Sequence, residues 1–222
     1  DHPTMQFPPL PLVRQDKVVE TDPNQVSVTD HYLVDTLRFI HDNRDKAVIP
    51  VPCAHVVHDP IYTPMRFQGA SRNGPYGAAV THIDFTTGLI LDTLRQLEID
   101  DNTLVLFTSD NGAGHPLTPE GIDQARTRLG GAGSNAPLRG AKGTTWEGGM
   151  REPFIAWWPG TVPAGGECLE LCTSMDLLPT VARLAGTTEP DDRIIDGKDI
   201  RPLLTGRPGA TTPVVPIEAA CS

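Results

Sequence analysis

The run Thr103-Leu-Val-Leu-Phe-Thr108 constrains this chain more than any other stretch. A continuous apolar segment of that length suits a strand buried on both faces, as in a parallel sheet. Asp110 and Asn111 stand at its carboxyl end, the edge where open α/β sheets place their ligands. A Gly-rich segment then leads to Leu138-Arg-Gly-Ala-Lys142-Gly-Thr-Thr-Trp-Glu-Gly-Gly-Met-Arg151-Glu-Pro and a second apolar run, Phe154 to Trp158, closed by Pro159-Gly160. An acid and an amide at a strand end, followed by a lysine among glycines, form the layout of an anion or metal site.

A helix leads into this strand. Tyr76, Val80, Ile83, Thr87, Ile90, Leu94 and Leu97 repeat at alternating spacings of four and three, which predicts one apolar face and an end near Ile99. Helix followed by buried strand is half of a βαβ unit, so the fold class is α/β. An earlier helix is predicted from Thr29 or Asp30 as cap to Asn43, facing inward with Leu33, Leu37 and Ile40. Ala47 to Ala54 has strand-like content, but Pro50 and Pro52 remove ladder donors and demote it to an edge or distorted strand. A third helix is predicted from Ser174–Asp176 to Gly186, with Pro179 in its first turn and Leu178, Val181, Ala182 and Ala185 facing inward. The organisation expected is an extended N-terminal segment over residues 1–25, one α/β domain over 26–206 and a Pro/Thr-rich tail over 207–222.

Charge and composition exclude some partners. The formal net charge of −10 and the absence of a Lys/Arg run argue against nucleic acid, so an anion site must be local. No segment approaches the about 20 apolar residues of a membrane span, and no membrane partner is expected. The cysteines, Cys53, Cys168, Cys172 and Cys221, lack the spacing of a structural zinc site and read as buried or free thiols.

The candidate chemistry lies at four places. Asp110 and Asn111 are hard oxygen donors suited to calcium or magnesium, although Asp-Asn-Gly is also a common turn. Lys142 between glycines is a compact point charge for an oxyanion, although an isolated loop lysine is more often solvated and idle. His55 and His58 could hold a metal, bond an anion or move a proton. His115, five residues beyond Asp110, could reach the same ligand. Arg151-Glu152-Pro153 reads as scaffold, an Arg-Glu pair entering a strand.

At these residues the sequence resembles the sulfatase family, in the branch of arylsulfatase A and N-acetylgalactosamine-6-sulfatase. The resemblance rests on Phe107-Thr-Ser-Asp110-Asn111-Gly, the long Lys142 motif, Trp158-Pro-Gly160, Ser174-Met-Asp-Leu-Leu-Pro179-Thr and Tyr62-Thr-Pro-x-Arg-Phe-x-Gly69, and covers about Ala47 to Leu204. It implies an alkaline-phosphatase-like sandwich with a mostly parallel sheet flanked by helices, incomplete in this chain, and a Ca2+ ion beneath a sulfate ester. It also implies Asp110 and Asn111 as metal ligands, Lys142 on the sulfate and its bridging oxygen, and His58 as proton donor to the departing alcohol. The substrate implied is a sulfate ester, possibly that of a sulfated sugar, and the location extracytoplasmic.

The resemblance further implies a formylglycine nucleophile made from a cysteine in Cys-x-Pro-x-Arg, and none of the cysteines here stands in that motif. The family's paired aspartates, which give the other calcium ligands, are absent as well. The chain is therefore expected to be the middle and later part of a sulfatase, carrying one wall of the site. Two readings compete with hydrolysis of sulfuric esters: a non-catalytic binder or inactive partial sulfatase in which Lys142, Arg139, His58 and Arg151 hold a sulfated glycan, and a phosphate-ester hydrolase of the same superfamily.

Overall fold

The computed structural model describes residues 9–54, 57–58, 60–114, 133–207 and 210–211. Two units divide the chain, one of Asp1–Leu97 with Ser109–Pro153 and one of Glu98–Thr108 with Phe154–Ser222.

The first unit begins with a feature the proline content concealed. In place of extended chain, β1 (Pro11–Arg14) and β2 (Lys17–Thr21) form an antiparallel hairpin. Pro11 sits at the first strand position, where a missing donor costs no ladder bond. The pair is exposed, and Arg14 reaches Asp35 at 2.6 Å on the following helix. That helix, α1 (Gln25–Asp42), starts four residues before Thr29 because Asn24 caps it, accepting from the Val26 N–H at 3.1 Å. Asparagine is as good a cap as aspartate, and Thr29 is left inside the helix, 3% exposed. Leu33 and Ile40 are buried as the periodicity predicts.

Residues 47–54 form no strand and are exposed throughout. Two prolines within eight residues leave too few donors for a ladder. A 3-10 turn at Met65–Phe67 precedes α2 (Gly74–Gln96), which ends slightly before Ile99. Its buried positions are Gly77, Ala78, Ala79, His82, Thr86 and Leu94. This face is rotated from the expected one: Val80 is 45% exposed and Leu94 alone belongs to both sets. Small side chains admit a neighbouring helix closely, and α1 supplies the buried His82 with a partner, Asp30 at 2.9 Å. A short helix, α3 (Glu147–Met150), lies in the Lys142 motif.

In the second unit, β3 (Val105–Thr108) pairs with β4 (Phe154–Trp157) antiparallel, in the register Val105↔Trp157 to Thr108↔Phe154. The expectation of a strand buried on both faces within a parallel sheet is not met among the described residues: Phe107 is 36% and Ile155 58% exposed. The apolar content is strand-forming, but burial on both faces needs layers that these two strands do not have. Trp158 is tied by its indole N–H to the Asp101 carbonyl at 2.7 Å.

Also in this unit, Thr173 and Asp176 form a capping box ahead of α4 (Leu177–Leu184). Asp176 accepts from the Thr173 N–H and the Lys198 N–H, both at 2.7 Å. Thr180, fully buried, accepts from the Ile200 N–H at 2.9 Å, just before α5 (Arg201–Leu204). The inward face is therefore Pro179 and Thr180, while Leu178 is 52% exposed, because backbone donors of 198–200 need acceptors there. Gly186 follows with φ of 73°, the left-handed step past the helix end. Among the cysteines described, Cys53, Cys168 and Cys172 are all exposed, not buried.

Candidate active site

Asp110, Asn111, Lys142 and His58 all belong to the first unit. Asp110 and Asn111 occupy a bend directly after β3, where the Ser109 hydroxyl donates to the Asn111 carbonyl at 3.0 Å. The chain then runs Gly112-Ala113, and these two residues join the bend to the Lys142 loop. The Gly112 N–H donates to the Gly149 carbonyl at 3.3 Å, and the Lys142 N–H to the Ala113 carbonyl at 3.1 Å. A Cβ on Gly112 would overlap the Gly148 carbonyl oxygen, so the approach of the two backbones requires glycine here.

Asn135 completes the junction. Its Oδ1 accepts from the Ala113 N–H at 2.8 Å, and its Nδ2 donates to the Ala113 carbonyl at 3.0 Å and to the Gly140 carbonyl at 3.2 Å. One side chain thus clamps the acid-amide bend against the lysine loop. Within the loop, Thr144 Oγ1 donates to the Ala141 carbonyl at 2.8 Å, and the Gly148 N–H donates to the Arg139 carbonyl at 2.7 Å. The Arg139 guanidinium lies 3.6 Å from the centre of the Trp146 ring, a cation–π contact. Lys142 and Asp110 remain exposed on this rigid base.

The stitching brings Asp110, Asn111 and Lys142 together and does not include His58. That residue stands exposed, and among the described residues of 57–64 the buried ones are Thr63 and Pro64. His55 and His115 lie outside the described residues.

Sequence reasoning missed two residues. Asn135 gave no signal, since an asparagine between Ser134 and Ala136 is ordinary loop composition. Glu152 was read as half of an Arg-Glu scaffold pair, but Arg151 turns to Glu147 at 3.6 Å, and Glu152 Oε1 is buried with no hydrogen-bond partner. Burial, followed by the charge of Asp110, raises its carboxyl above the ordinary value. A buried, unpaired carboxyl oxygen that also feels the charge of Asp110 marks a place that favours positive charge.

That orphaned oxygen tests the donor set for a metal. Asp110, Asn111 and Glu152 offer only hard oxygens, the chemistry of a calcium site. The cation takes about six to eight such ligands, so these residues fit part of its shell. No group of three or more His, Cys, Asp and Glu gathered for a metal occurs among the described residues. The fit is that of one wall.

Two clefts, of about 360 and 370 Å³, lie in the second unit, the larger against Trp158, Leu184 and Arg201. Neither is lined by Asp110, Asn111, Lys142 or His58. No described helix is long and apolar enough to cross a membrane.

Comparison with known proteins bears directly on this arrangement. The Sulfatase family model matches residues 14–187. The chain is similar to human N-acetylgalactosamine-6-sulfatase, 43% identical over 185 residues, which are 82% of this chain and 34% of that protein. It is also similar to human steryl-sulfatase, 36% identical over 196 residues, 88% of this chain and 33% of that one. The chain therefore spans about a third of the length of these relatives. Among solved structures, a chain from work on the metabolism of multiple glycosaminoglycans by Bacteroides thetaiotaomicron superposes with a TM-score of 0.71 at 30% identity, covering 86% of this chain and 39% of that one. A sulfatase from Pseudoalteromonas gives a TM-score of 0.66 at 29% identity, over 81% and 34%. With a family model over most of its length and relatives above 40% identity, this chain belongs to the sulfatase family.

Proposed function

We propose that this chain carries the metal-and-lysine wall of a sulfuric ester hydrolase site. The observation that carries the reading is the junction in which Asn135 and Gly112 hold Asp110 and Asn111 against the Lys142 loop. Asp110 and Asn111 would hold Ca2+, which when bound supplies positive charge to the sulfate oxygens. Lys142 places a compact cation on the sulfate and its bridging oxygen, on a loop that needs no reorganisation to do so. A ring nitrogen of His58 gives its proton to the oxygen of the departing alcohol. The Arg139–Trp146 contact fixes the loop that presents Lys142.

No residue of this chain is assigned the nucleophile. A formylglycine needs a cysteine in Cys-x-Pro-x-Arg, and neither the motif nor a substitute for it is present, so the attack on sulfur is not assigned to this chain. The alkaline-phosphatase-like parallel sandwich is part of the same proposal, supported by the superposition on solved sulfatases. So are an extracytoplasmic location and a sulfated sugar as substrate, the latter supported by the relative named for N-acetylgalactosamine-6-sulfate chemistry.

The test is titration of the chain with inorganic sulfate in the presence of Ca2+. Lys142→Ala should weaken sulfate binding by about tenfold, equal to about 1.4 kcal/mol, and Asp110→Asn should remove the dependence on calcium. Unchanged binding in both variants overturns the reading. A second reading is sulfated-glycan binding without turnover by this chain, and binding without release of sulfate from an aryl sulfate supports it.

A further inference from the structure

Most arginines among the described residues end on a carboxylate, as Arg151 does on Glu147 at 3.6 Å and Arg201 on Asp199 at 2.6 Å. Arg139 does not. No carboxylate among the described residues pairs with it, and Glu147, the acid of its own loop, is turned to Arg151. Its guanidinium carbon lies instead 3.6 Å from the centre of the Trp146 ring. That is van der Waals separation, at which a guanidinium lies face-on to the ring, since a steep tilt would push one of its nitrogens into the indole. Face-on stacking occupies the flat surface of the guanidinium and none of its five N–H donors, which radiate in its plane.

The stack is built into the lysine loop. The Arg139 carbonyl accepts from the Gly148 N–H at 2.7 Å. A Cβ on Gly140 would overlap Trp146 Cβ, so the tryptophan packs directly against the residue that follows Arg139. Lys142 stands two positions further on, with its N–H on the Ala113 carbonyl at 3.1 Å. Three residues of fully extended chain span about 11 Å at most, which bounds the separation of the Arg139 and Lys142 backbones. Both side chains are exposed. One braced loop therefore presents two cations without a carboxylate partner, in a chain of formal net charge −10.

The two cations suit different contacts. Lys142 is a point charge, whereas Arg139 offers a planar fork that takes two oxygens of one anion. The ring holds the plane of that fork before a ligand arrives, so less side-chain freedom is lost on binding.

We propose that Arg139, stacked on Trp146, is a specificity-determining residue that binds a second anionic group of the substrate, a sulfate or a carboxylate on the sugar that carries the ester or on the sugar joined to it. The inference rests on the role given to Lys142 above, and it names the substrate class as a saccharide with two anionic groups. It is tested on the full chain with Ca2+, by calorimetric titration with N-acetylgalactosamine-6-sulfate, the same sugar carrying a second sulfate, and the same sulfated sugar joined to glucuronic acid. A doubly anionic saccharide should bind about tenfold more tightly than the monosulfate, and the arm that shows the gain identifies the second anion. Arg139→Ala should abolish this preference. Arg139→Lys, which keeps the charge and loses the fork, should reduce it to about threefold. A residue that only braces the loop would lower both affinities together and leave their ratio unchanged in Arg139→Ala, and that result overturns the inference. So does a wild-type chain without preference in either arm, or a full preference retained by Arg139→Lys. If Lys142→Ala leaves monosulfate binding intact while Arg139→Ala abolishes the preference, the proposed function fails and the second-anion site stands. Absence of binding by all three saccharides defeats both.

Discussion

Two loops of the first unit are held in opposite ways. The Lys142 loop is fixed locally, by backbone bonds to Gly112 and Ala113 and by three bonds from one asparagine. The turn Met65–Phe67, which follows the His58 segment, is instead held by groups far apart in sequence, Arg66 and His82 meeting at Asp30. A cation that must meet negative charge benefits from a base that does not move.

Four measurements break or sharpen this contrast. Gly112→Ala should have the largest effect, because its Cβ would collide with the Gly148 carbonyl, a backbone atom that cannot swing aside. Overpacking of this kind costs about 3 kcal/mol, and denaturant unfolding should show that loss together with loss of sulfate binding. His58 signals should respond less than those of Trp146.

Asn135→Ala comes next. It removes the partner of the Ala113 N–H and of the Gly140 carbonyl, while the Ala113 carbonyl keeps the Lys142 N–H, for an expected loss of about 2 kcal/mol in denaturant unfolding. Faster amide exchange should be confined to 110–114 and 139–149. Loss of protection spread evenly over α1 and α2 would show that the clamp is not local.

Lys142→Ala should leave the melting temperature within about 2 °C of wild type, since the side chain is exposed, while sulfate affinity drops. A large stability loss would mean that the lysine is scaffold.

The smallest effect is electrostatic and separates two carboxylates of the same unit. Burial alone would raise Asp30, but hydrogen bonds from Arg66 and His82 hold it below its ordinary 3.8. Its contribution is therefore complete at neutral pH and is lost as pH falls through the depressed value. Glu152 has the opposite sign: raised above 4.5 by burial and Asp110, it binds its proton more tightly when folded, so its penalty on folding builds as pH rises through 4.5 and is complete above the raised value. Glu152→Gln should slightly raise calcium-free stability at pH 7 and change nothing well below pH 4.5, whereas Asp30→Asn should lower stability at pH 7. Thermal melts of both variants across pH 3 to 7 decide it.

Much of this was legible in the chain. The spacing of Leu33, Leu37 and Ile40 located α1, and the apolar run before Asp110 located β3, because local periodicity and capping are properties of adjacent residues. The N-terminal hairpin was hidden by prolines that fall at harmless positions. The inward face of α2 differs because hydrophobicity pointed to Val80 and Ile83, while small residues and a histidine bonded to α1 are the buried ones.

By itself the sequence determined the family, the strand-end acid and amide, and the glycine-flanked lysine, since these are motifs of neighbouring residues with fixed spacing. Only tertiary structure decided that Asn135 bonds Ala113 across 22 positions and so holds the Asp110 bend to the lysine loop, that Glu152 Oε1 is buried and unpaired where it feels Asp110, and that Asp30 and His82 meet across 52. Hydrogen bonds and desolvation depend on which groups folding brings within about 3 Å, and that proximity is not written in residue order.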